Sequence, residues 1–381
     1  MHKQKRNIIL LFIYSFLSTF LLFRSCDTLY YLSRGVSSSK YIIFTVISAI
    51  VTILFQIPIG MFGDKINKKK ILLLSNLLLL IGVIFYIISH SFVGLSIGII
   101  FHTLQTLFSN GIVNSILYDE VNNKEEFSKL LFIKSIFSYT GYGIAMILGG
   151  VVADINLSYM YYISLIPIVI NFLVLFLLKD IEVSGKTISF SKIFREARYV
   201  ISKKRIVQYL LLYEGFLMSI ITVMAESHPE YSQRLGISAT VIGIYTALML
   251  VVGIVGEYIA SRIKSDFIKV FIFPIIVSLT LLMIGILNNY YGIIFIVLIQ
   301  LFYDIQYNGM LSILHEEVSS ESRVTMEGIL SLITSIFAIV IGIVTSIILK
   351  FMSIANMYIV IGVLLFFYIL LLYLFYRRNI D

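Results

Sequence analysis

Charged side chains are scarce in this sequence, at 13% of its 381 residues, whereas soluble globular proteins carry about 25%. Hydrophobic residues make up 59% of the chain. A folded chain of this composition has too little polar surface to cover a water-soluble particle. The composition therefore excludes a soluble globular protein and indicates a chain that lies in a lipid bilayer.

Three further shortages limit the bonds, metal sites and helix breaks that the chain can contain. The single cysteine, Cys26, excludes an internal disulfide and a cysteine-based zinc site. Only 4 prolines occur, so we expect most helices to be unbroken. No tryptophan is present, which leaves the 25 tyrosines to form much of the aromatic belt at the membrane surface.

Motifs of catalysis and of ATP binding are also missing. The 5 histidines show no paired metal-ligand spacing, no nucleophile motif occurs, and there is no phosphate-binding G-x-x-x-x-G-K-[ST] loop. We therefore predict that the chain is not an enzyme, holds no metal or other cofactor, and does not use ATP directly.

What the sequence does contain is a series of apolar blocks of about 18 to 25 residues, each long enough to cross a hydrocarbon core of about 30 Å. They predict an all-α polytopic membrane protein with twelve transmembrane helices. The predicted spans are residues 8–32, 40–63, 71–89, 93–118, 130–153, 157–178, 206–228, 238–261, 267–288, 290–314, 326–349 and 353–376. The longest interruption separates an N-terminal six-helix half, 1–178, from a C-terminal half, 206–381. The linker between them, 179–205, has apolar residues at helical spacing and is predicted to lie on the inner membrane surface as an amphipathic helix.

Basic residues cluster in alternate loops, for example at 68–70 after the second span and at 203–205 before the seventh. Most of the 29 Lys and Arg then lie on one side of the membrane, which the positive-inside rule assigns to the cytoplasm. We predict a multi-pass protein of a bacterial cytoplasmic membrane, with both termini in the cytoplasm. This topology accounts for the net charge of +8, so no nucleic-acid partner is predicted.

A short internal repeat closes the fourth and tenth predicted spans. Residues 115–121 read SILYDEV and residues 312–318 read SILHEEV, and an Asn-Gly pair precedes each copy. The repeat predicts two pseudo-symmetric halves that arose by duplication. Transporters built from two such halves bind their substrate near the midplane, at the interface between the repeats.

Polar side chains concentrate on the first, fourth, seventh and tenth spans. A charged group inside a span is costly and usually faces a partner or a water-filled cavity. The candidates for proton or cation coupling are Asp27, Asp304, His102 and Glu214. The candidates for lining a cavity and binding substrate are Arg24, Thr28, Tyr31, Thr106, Asn110, Asn114, Met218, Thr222, Gln300 and Asn308. Arg24 and Asp27 stand three positions apart, so they can also pair with each other and be purely structural.

The junction between the second and third spans reads GMFGDKINKKK over residues 60–70. This segment resembles the loop signature of the major facilitator superfamily, with Asn67 in place of the usual second glycine. The resemblance implies a cytoplasmic latch between the two halves. Its residues here are Gly60, Gly63, Asp64, Lys65, Lys68 and Lys69.

Two other segments are similar to bacterial drug:proton antiporter-like members of that superfamily. Residues 109–121 resemble a pattern of these members, and the fifth span matches part of their glycine signature at Gly141, Gly149 and Gly150. Ala145 and Met146 depart from that signature, and His102 stands where the family has an arginine. Glycines that allow tight helix packing are an equally good explanation of the fifth-span pattern.

The resemblance and the polar spans together imply a secondary transporter that works by alternating access. The leading expectation is proton-coupled efflux of small amphipathic molecules, with the lipid bilayer, a small-molecule substrate and protons as partners. An importer or facilitator for a specific sugar, peptide or metabolite is the main alternative. A lipid flippase on the same scaffold is another.

Overall fold

The computed structural model of the chain describes residues 2–63, 66–121, 124–179, 201–202, 204–318 and 323–377, and this part is helical without strands. The α-helices are α1 (His2–Thr19), α2 (Asp27–Ser33), α3 (Ser38–Gly63), α4 (Lys68–Ile88), α5 (Phe92–Ser109), α6 (Ile112–Asp119), α7 (Lys124–Ile155), α8 (Leu157–Leu177), α9 (Arg205–Arg234), α10 (Ala239–Arg262), α11 (Phe273–Leu287), α12 (Tyr291–Glu317), α13 (Arg323–Phe351) and α14 (Ile354–Arg377). Within these residues, 11 helical segments are long and apolar enough to cross a membrane.

The first predicted span, 8–32, is not one continuous helix. α1 ends at Thr19, a 3-10 turn covers Leu22–Ser25, and α2 begins at Asp27. The buried Ser164 hydroxyl of α8 accepts a hydrogen bond of 2.9 Å from the Leu22 backbone N–H, which the break leaves without a helical partner. The break is therefore held by a specific contact from another helix.

The fourth predicted span, 93–118, is also divided, into α5 and α6, at Asn110 and Gly111. Gly111 has a φ of 74°, which a residue with a side chain rarely adopts. The matching pair of the repeat, Asn308 and Gly309, lies inside the continuous helix α12. There the glycine serves close packing, because an added Cβ would lie 2.5 Å from the Lys269 side chain.

The chain divides into two compact units. The first comprises residues 1–37, 50–187 and 238–247, and the second comprises 38–49, 188–237 and 248–381. The predicted boundaries at 178 and 206 differ from this division, because the N-terminal ends of α3 and α10 each pack with the other half of the sequence. The predicted amphipathic helix of 179–205 falls almost wholly outside the described residues.

The two units repeat one helix-packing arrangement. In the first unit, α1 packs on α7, and the Thr19 hydroxyl donates to the Ser138 carbonyl at 2.8 Å. In the second unit, α9 packs on α13, and the Ser219 hydroxyl donates to the Thr334 carbonyl at 3.0 Å. A hydroxyl on the leading helix thus bonds to the main chain of its partner in both units.

The turns that follow the first and seventh predicted spans are also alike. Gly35 and Gly236 have φ values of 78° and 79°. After each glycine, the next backbone N–H returns to a carbonyl five residues earlier, from Val36 to Tyr31 and from Ile237 to Ser232, both at 3.1 Å. Both helices therefore end with the same left-handed glycine cap.

Candidate functional site

Glu214 of α9 is 0% exposed and lies against α12 in the second unit. Its Oε1 accepts a hydrogen bond of 3.1 Å from the Tyr303 hydroxyl, and its Oε2 accepts one of 3.1 Å from the Gln306 side-chain amide. Among the described residues, no ion pair within 4.0 Å includes Glu214. A carboxyl group is thus buried in a membrane-spanning helix with neutral donors only.

The Gln306 amide connects Glu214 to a second hydroxyl. Its Oε1 accepts a hydrogen bond from Tyr213, so one side-chain amide bridges the carboxyl and a phenol. An amide presents an acceptor on one side and donors on the other, and a hydroxyl can either donate or accept. If the Gln306 amide flips, its oxygen can accept a hydrogen bond from a neutral Glu214 and its NH2 group can donate one to the Tyr213 hydroxyl oxygen. The network can therefore satisfy Glu214 in both its ionised and its protonated form.

Asp304 is also in the second unit and lies on a neighbouring face of α12. Its Oδ2 accepts a hydrogen bond of 2.6 Å from Gln300, and its backbone carbonyl accepts one of 2.9 Å from Asn308. The predicted stripe of Gln300, Asp304 and Asn308 is therefore connected by hydrogen bonds. Two glycines of α10 make room for it, since a Cβ at Gly253 would lie 2.5 Å from Asp304 Oδ2.

The predicted face of the seventh span does not have uniform surroundings. Met218 is 38% exposed and Thr222 is partly exposed, whereas Glu214 is buried. Residues four positions apart rotate by about 40° around a helix, so the stripe turns from the α12 contact toward an open surface. The Thr222 hydroxyl bonds back to the Met218 carbonyl at 2.9 Å.

In the first unit, Arg24 lies in the broken part of the first span. Its Nη2 is 3.4 Å from His102 Nε2, and its buried Nε has no hydrogen-bond partner. The predicted Arg24–Asp27 pair does not form within 4.0 Å, because the helix breaks between the two residues. Instead, Asp27 Oδ1 accepts a hydrogen bond of 2.7 Å from the Thr28 backbone N–H.

Two residues predicted to line a cavity from the first span are buried. Thr28 is 0% exposed and Tyr31 is 3% exposed. Tyr31 lies in an aromatic cluster, 6.2 Å from the Tyr86 ring and 6.4 Å from the Tyr30 ring. Because α2 starts anew after the break, its polar residues do not continue the face that carries Arg24.

The predicted polar stripe of the fourth span crosses the gap between α5 and α6. Thr106 and Asn110 are exposed, and the Thr106 hydroxyl bonds back to the His102 carbonyl at 3.2 Å. Beyond the gap, Asn114 Oδ1 accepts a hydrogen bond of 3.2 Å from Lys134 Nζ of α7. The stripe therefore has members on both pieces of the divided span, α5 and α6.

The three glycines that resemble an antiporter signature all serve helix packing. A Cβ at Gly141 would lie 2.5 Å from the Phe16 carbonyl oxygen, and one at Gly149 would lie 2.2 Å from that of Leu22. A Cβ at Gly150 would lie 2.4 Å from the carbonyl oxygen of Ala239, at the start of α10. Close approach of the main chains accounts for the pattern without a coupling role.

Two lysines of the predicted latch, Lys68 and Lys69, contact their own unit. Lys68 forms an ion pair with Asp119 at the end of α6, and Lys69 Nζ donates to the Leu178 carbonyl at 2.5 Å. Asn67 does not adopt a left-handed conformation, since its φ is −55°; its side chain caps α4 by accepting from the Lys69 N–H. Gly60 and Gly63 end α3, whereas Asp64 and Lys65 lie outside the described residues.

Sequence reasoning found Glu214 but missed the residues that hold it. Tyr303 and Gln306 stand three positions apart on one helix face, which was readable beside the Gln300 stripe. Ser164, which supports the broken first span, has no sequence pattern of its own. In the described residues, no group of three His, Cys, Asp or Glu side chains is placed to hold a metal ion.

A multi-pass helical chain that holds carboxyl groups and an arginine within its spans has the character of a membrane transport protein. Comparison with known families identifies the kind of transporter. The family model of the Major Facilitator Superfamily matches residues 8–303, and the chain belongs to this superfamily. Its membership points to a transporter rather than an enzyme.

Individual similar proteins agree with this assignment. An uncharacterized transporter, BU466, of Buchnera aphidicola subsp. Acyrthosiphon pisum is 28% identical over 188 residues, and the alignment spans 47% of each protein, about half the length of that curated relative. The nucleoside transporter NupG, in a mutant form, superposes with a TM-score of 0.78 at 14% identity, over 98% of this chain and 100% of that one. A D-xylose-proton symporter superposes with a TM-score of 0.73 at 12% identity, over 96% and 97%. The two structural likenesses show a shared fold.

Proposed function

We propose that the chain is a proton-coupled secondary transporter of a small organic solute and that Glu214 is the carboxyl group that carries the proton. The observation that supports this role is the burial of Glu214 among neutral donors. Removal of a carboxylate from water is unfavourable unless it is paired with a cation or well hydrogen-bonded. A carboxyl in such a place gains or loses a proton more readily than it forms a permanent ion pair.

The hydrogen-bond network supports the same role. A proton carrier must be stable in two charge states, and the Gln306 amide together with the Tyr213 hydroxyl offers partners to both. Asp304 has a different setting, since Gln300 is its side-chain donor and the site is partly exposed. We assign Asp304 and Asp27 to solute or ion contact, and Glu214 to proton transfer.

The role of Glu214 does not decide whether the solute is exported or imported. Export by antiport is the direction that the resemblance to drug:proton antiporters implies, and import by symport is the alternative. The fold is compatible with both, and a D-xylose-proton symporter shares it. The glycine packing described above removes one reason to favour antiport, so direction is part of the test.

The test measures proton movement in liposomes that contain the purified protein and a pH-sensitive dye in the lumen. Lipophilic cations, neutral drugs, nucleosides, sugars, amino acids and dipeptides are added outside one at a time. A solute that enters by symport acidifies the lumen, whereas one exchanged for protons makes it alkaline. We expect at least one solute to give a signal, and Glu214→Gln to reduce that signal to the level of protein-free liposomes.

The same solute must still exchange across the membrane in the Glu214→Gln protein when it is present on both sides, because solute exchange needs no net proton transfer. Glu316→Gln is the matched control, since Glu316 is an exposed glutamate near the end of α12. Glu316→Gln should leave both the proton movement and the solute exchange unchanged. Full proton movement in the Glu214→Gln protein would refute the assignment.

A further inference from the structure

Arg24 is the one arginine that the sequence places within a predicted span, and no ion pair of the described residues includes it. An arginine side chain stays protonated in proteins and has only donors. The described residues supply it with a single hydrogen bond, to His102, and with no carboxylate within 4.0 Å. Its Nε is buried without a partner. Asp27 acts on Arg24 through space, but no carboxylate of the described residues contacts the guanidinium.

The position of Arg24 is built by other helices. The Ser164 hydroxyl of α8 accepts a hydrogen bond of 2.9 Å from the Leu22 N–H, and the Ser25 hydroxyl donates one of 3.0 Å to the Leu22 carbonyl. Gly149 of α7 allows the Leu22 carbonyl and the Ser25 hydroxyl to come close. The backbone on both sides of Arg24 is therefore fixed, and the guanidinium is presented from a defined place.

The partner of Arg24 is fixed as well. The His102 ring stands edge-on to Phe23 at 5.9 Å and to Tyr86 at 6.4 Å. Because a guanidinium only donates, the 3.4 Å contact requires an unprotonated His102 Nε2. One corner of the guanidinium is thereby oriented, and Arg24 as a residue is partly exposed.

We infer that Arg24 binds an oxyanion of the transported solute, a carboxylate or a phosphate. An oriented guanidinium matches the two oxygens of such a group and forms strong charge-assisted hydrogen bonds with it. The solute then supplies the contacting anion that the described residues do not, and binding offsets part of the cost of a cation inside the bilayer. The exposed Thr106 and Asn110, on the polar side of α5, offer hydrogen bonds to the remainder of the solute.

This inference rests on the proposed transport function, but its test needs no proton gradient. The purified protein is titrated in lipid nanodiscs, and binding is measured by calorimetry. Each anionic probe is paired with its uncharged counterpart: an amino acid with its amide, a dicarboxylate with its diamide, a sugar phosphate with the sugar. A short-chain phosphatidylglycerol and the matching diacylglycerol test whether the oxyanion comes from a lipid.

We expect the protein to bind only anionic probes. We expect Arg24→Gln to lower the affinity for such a probe at least about tenfold, the loss typical of a hydrogen bond to a charged group. Arg24→Lys keeps the charge without the fork and should retain part of the affinity. Arg262→Gln, at an exposed arginine, is the control and should bind as wild type.

Two results would overturn the inference. One is a probe without an oxyanion that binds the wild type and the Arg24→Gln protein equally. The other is recovery of full binding when Asp27→Asn is added to Arg24→Gln, because Arg24 would then serve only to balance Asp27. A failure of proton coupling through Glu214 would leave the oxyanion dependence unchanged, so the two proposals are tested apart.

Discussion

Replacement of Gln306 by leucine is expected to lower the free energy of unfolding by about 3 kcal/mol. The change removes the donor to Glu214 Oε2 and the acceptor for the Tyr213 hydroxyl, and both groups are buried. Buried polar groups that lose their partners bear the full cost of desolvation, and the cost is largest for a charged group. Thermal and denaturant unfolding followed by circular dichroism would measure the loss.

A double substitution separates the network from simple packing. Glu214→Leu combined with Gln306→Leu removes the buried charge itself, so the double variant should be more stable than Gln306→Leu alone. Gln300→Leu is the matched control: it removes an amide that bonds to the partly exposed Asp304, and it should cost less than about 1 kcal/mol. Wild-type stability of the Gln306→Leu protein would show that Glu214 does not depend on the amide.

Gly149→Ala should abolish the yield of correctly folded protein. The new Cβ would lie 2.2 Å from the Leu22 carbonyl oxygen and 2.5 Å from Ser25 Oγ. Both distances are shorter than the contacts that Cβ atoms make in real structures. The first of these atoms belongs to the main chain of the broken span, which the Ser164 contact holds in place. The helices must separate to admit the methyl group, and overpacking of this severity exceeds what a core absorbs. Gel filtration in mild detergent would report the folded fraction.

Gly60→Ala makes the same chemical change where no atom lies within 4 Å of the added Cβ. Alanine favours a helix over glycine by about 1 kcal/mol, so this variant should fold as well as wild type or better. Equal yields of the two variants would mean that α7 and the broken span are not in close contact.

The type and approximate bounds of the helices were predictable, because apolar length decides them. Against twelve predicted spans, 11 helical segments of the described residues are long and apolar enough to cross a membrane, since the first predicted span is divided. The breaks were not predictable. Neither the 20–26 break nor the 110–111 break contains a proline, whereas Pro58, Pro167 and Pro229 lie inside continuous helices. The Asn-Gly pair shows most directly why the breaks could not be predicted. The same dipeptide interrupts one span and continues another, since Lys269 packs on Gly309 while Gly111 adopts a left-handed turn.

The candidate site was predictable as a set of residue types and only partly as an arrangement. Charged residues within spans stand out because each is costly there, and on this ground Glu214, Asp304 and Arg24 were predicted as site residues. Their partners depend on which faces of two helices meet, and a single stripe cannot show that. Glu214 meets the Tyr303 and Gln306 face of α12. Arg24 contacts His102 instead of forming an ion pair with Asp27, since the helix between the two residues is broken.

The neutral surroundings of Glu214 have an electrical consequence. With no cation beside it among the described residues, each proton that Glu214 binds changes the net charge within the bilayer by one elementary unit. A membrane potential does work on such a charge, up to about 2.3 kcal/mol per 100 mV for the whole field and less for the fraction that is crossed. If Glu214 carries the proton as we propose, voltage alone shifts the balance between the two hydrogen-bond arrangements of Gln306, even when the pH is equal on both sides.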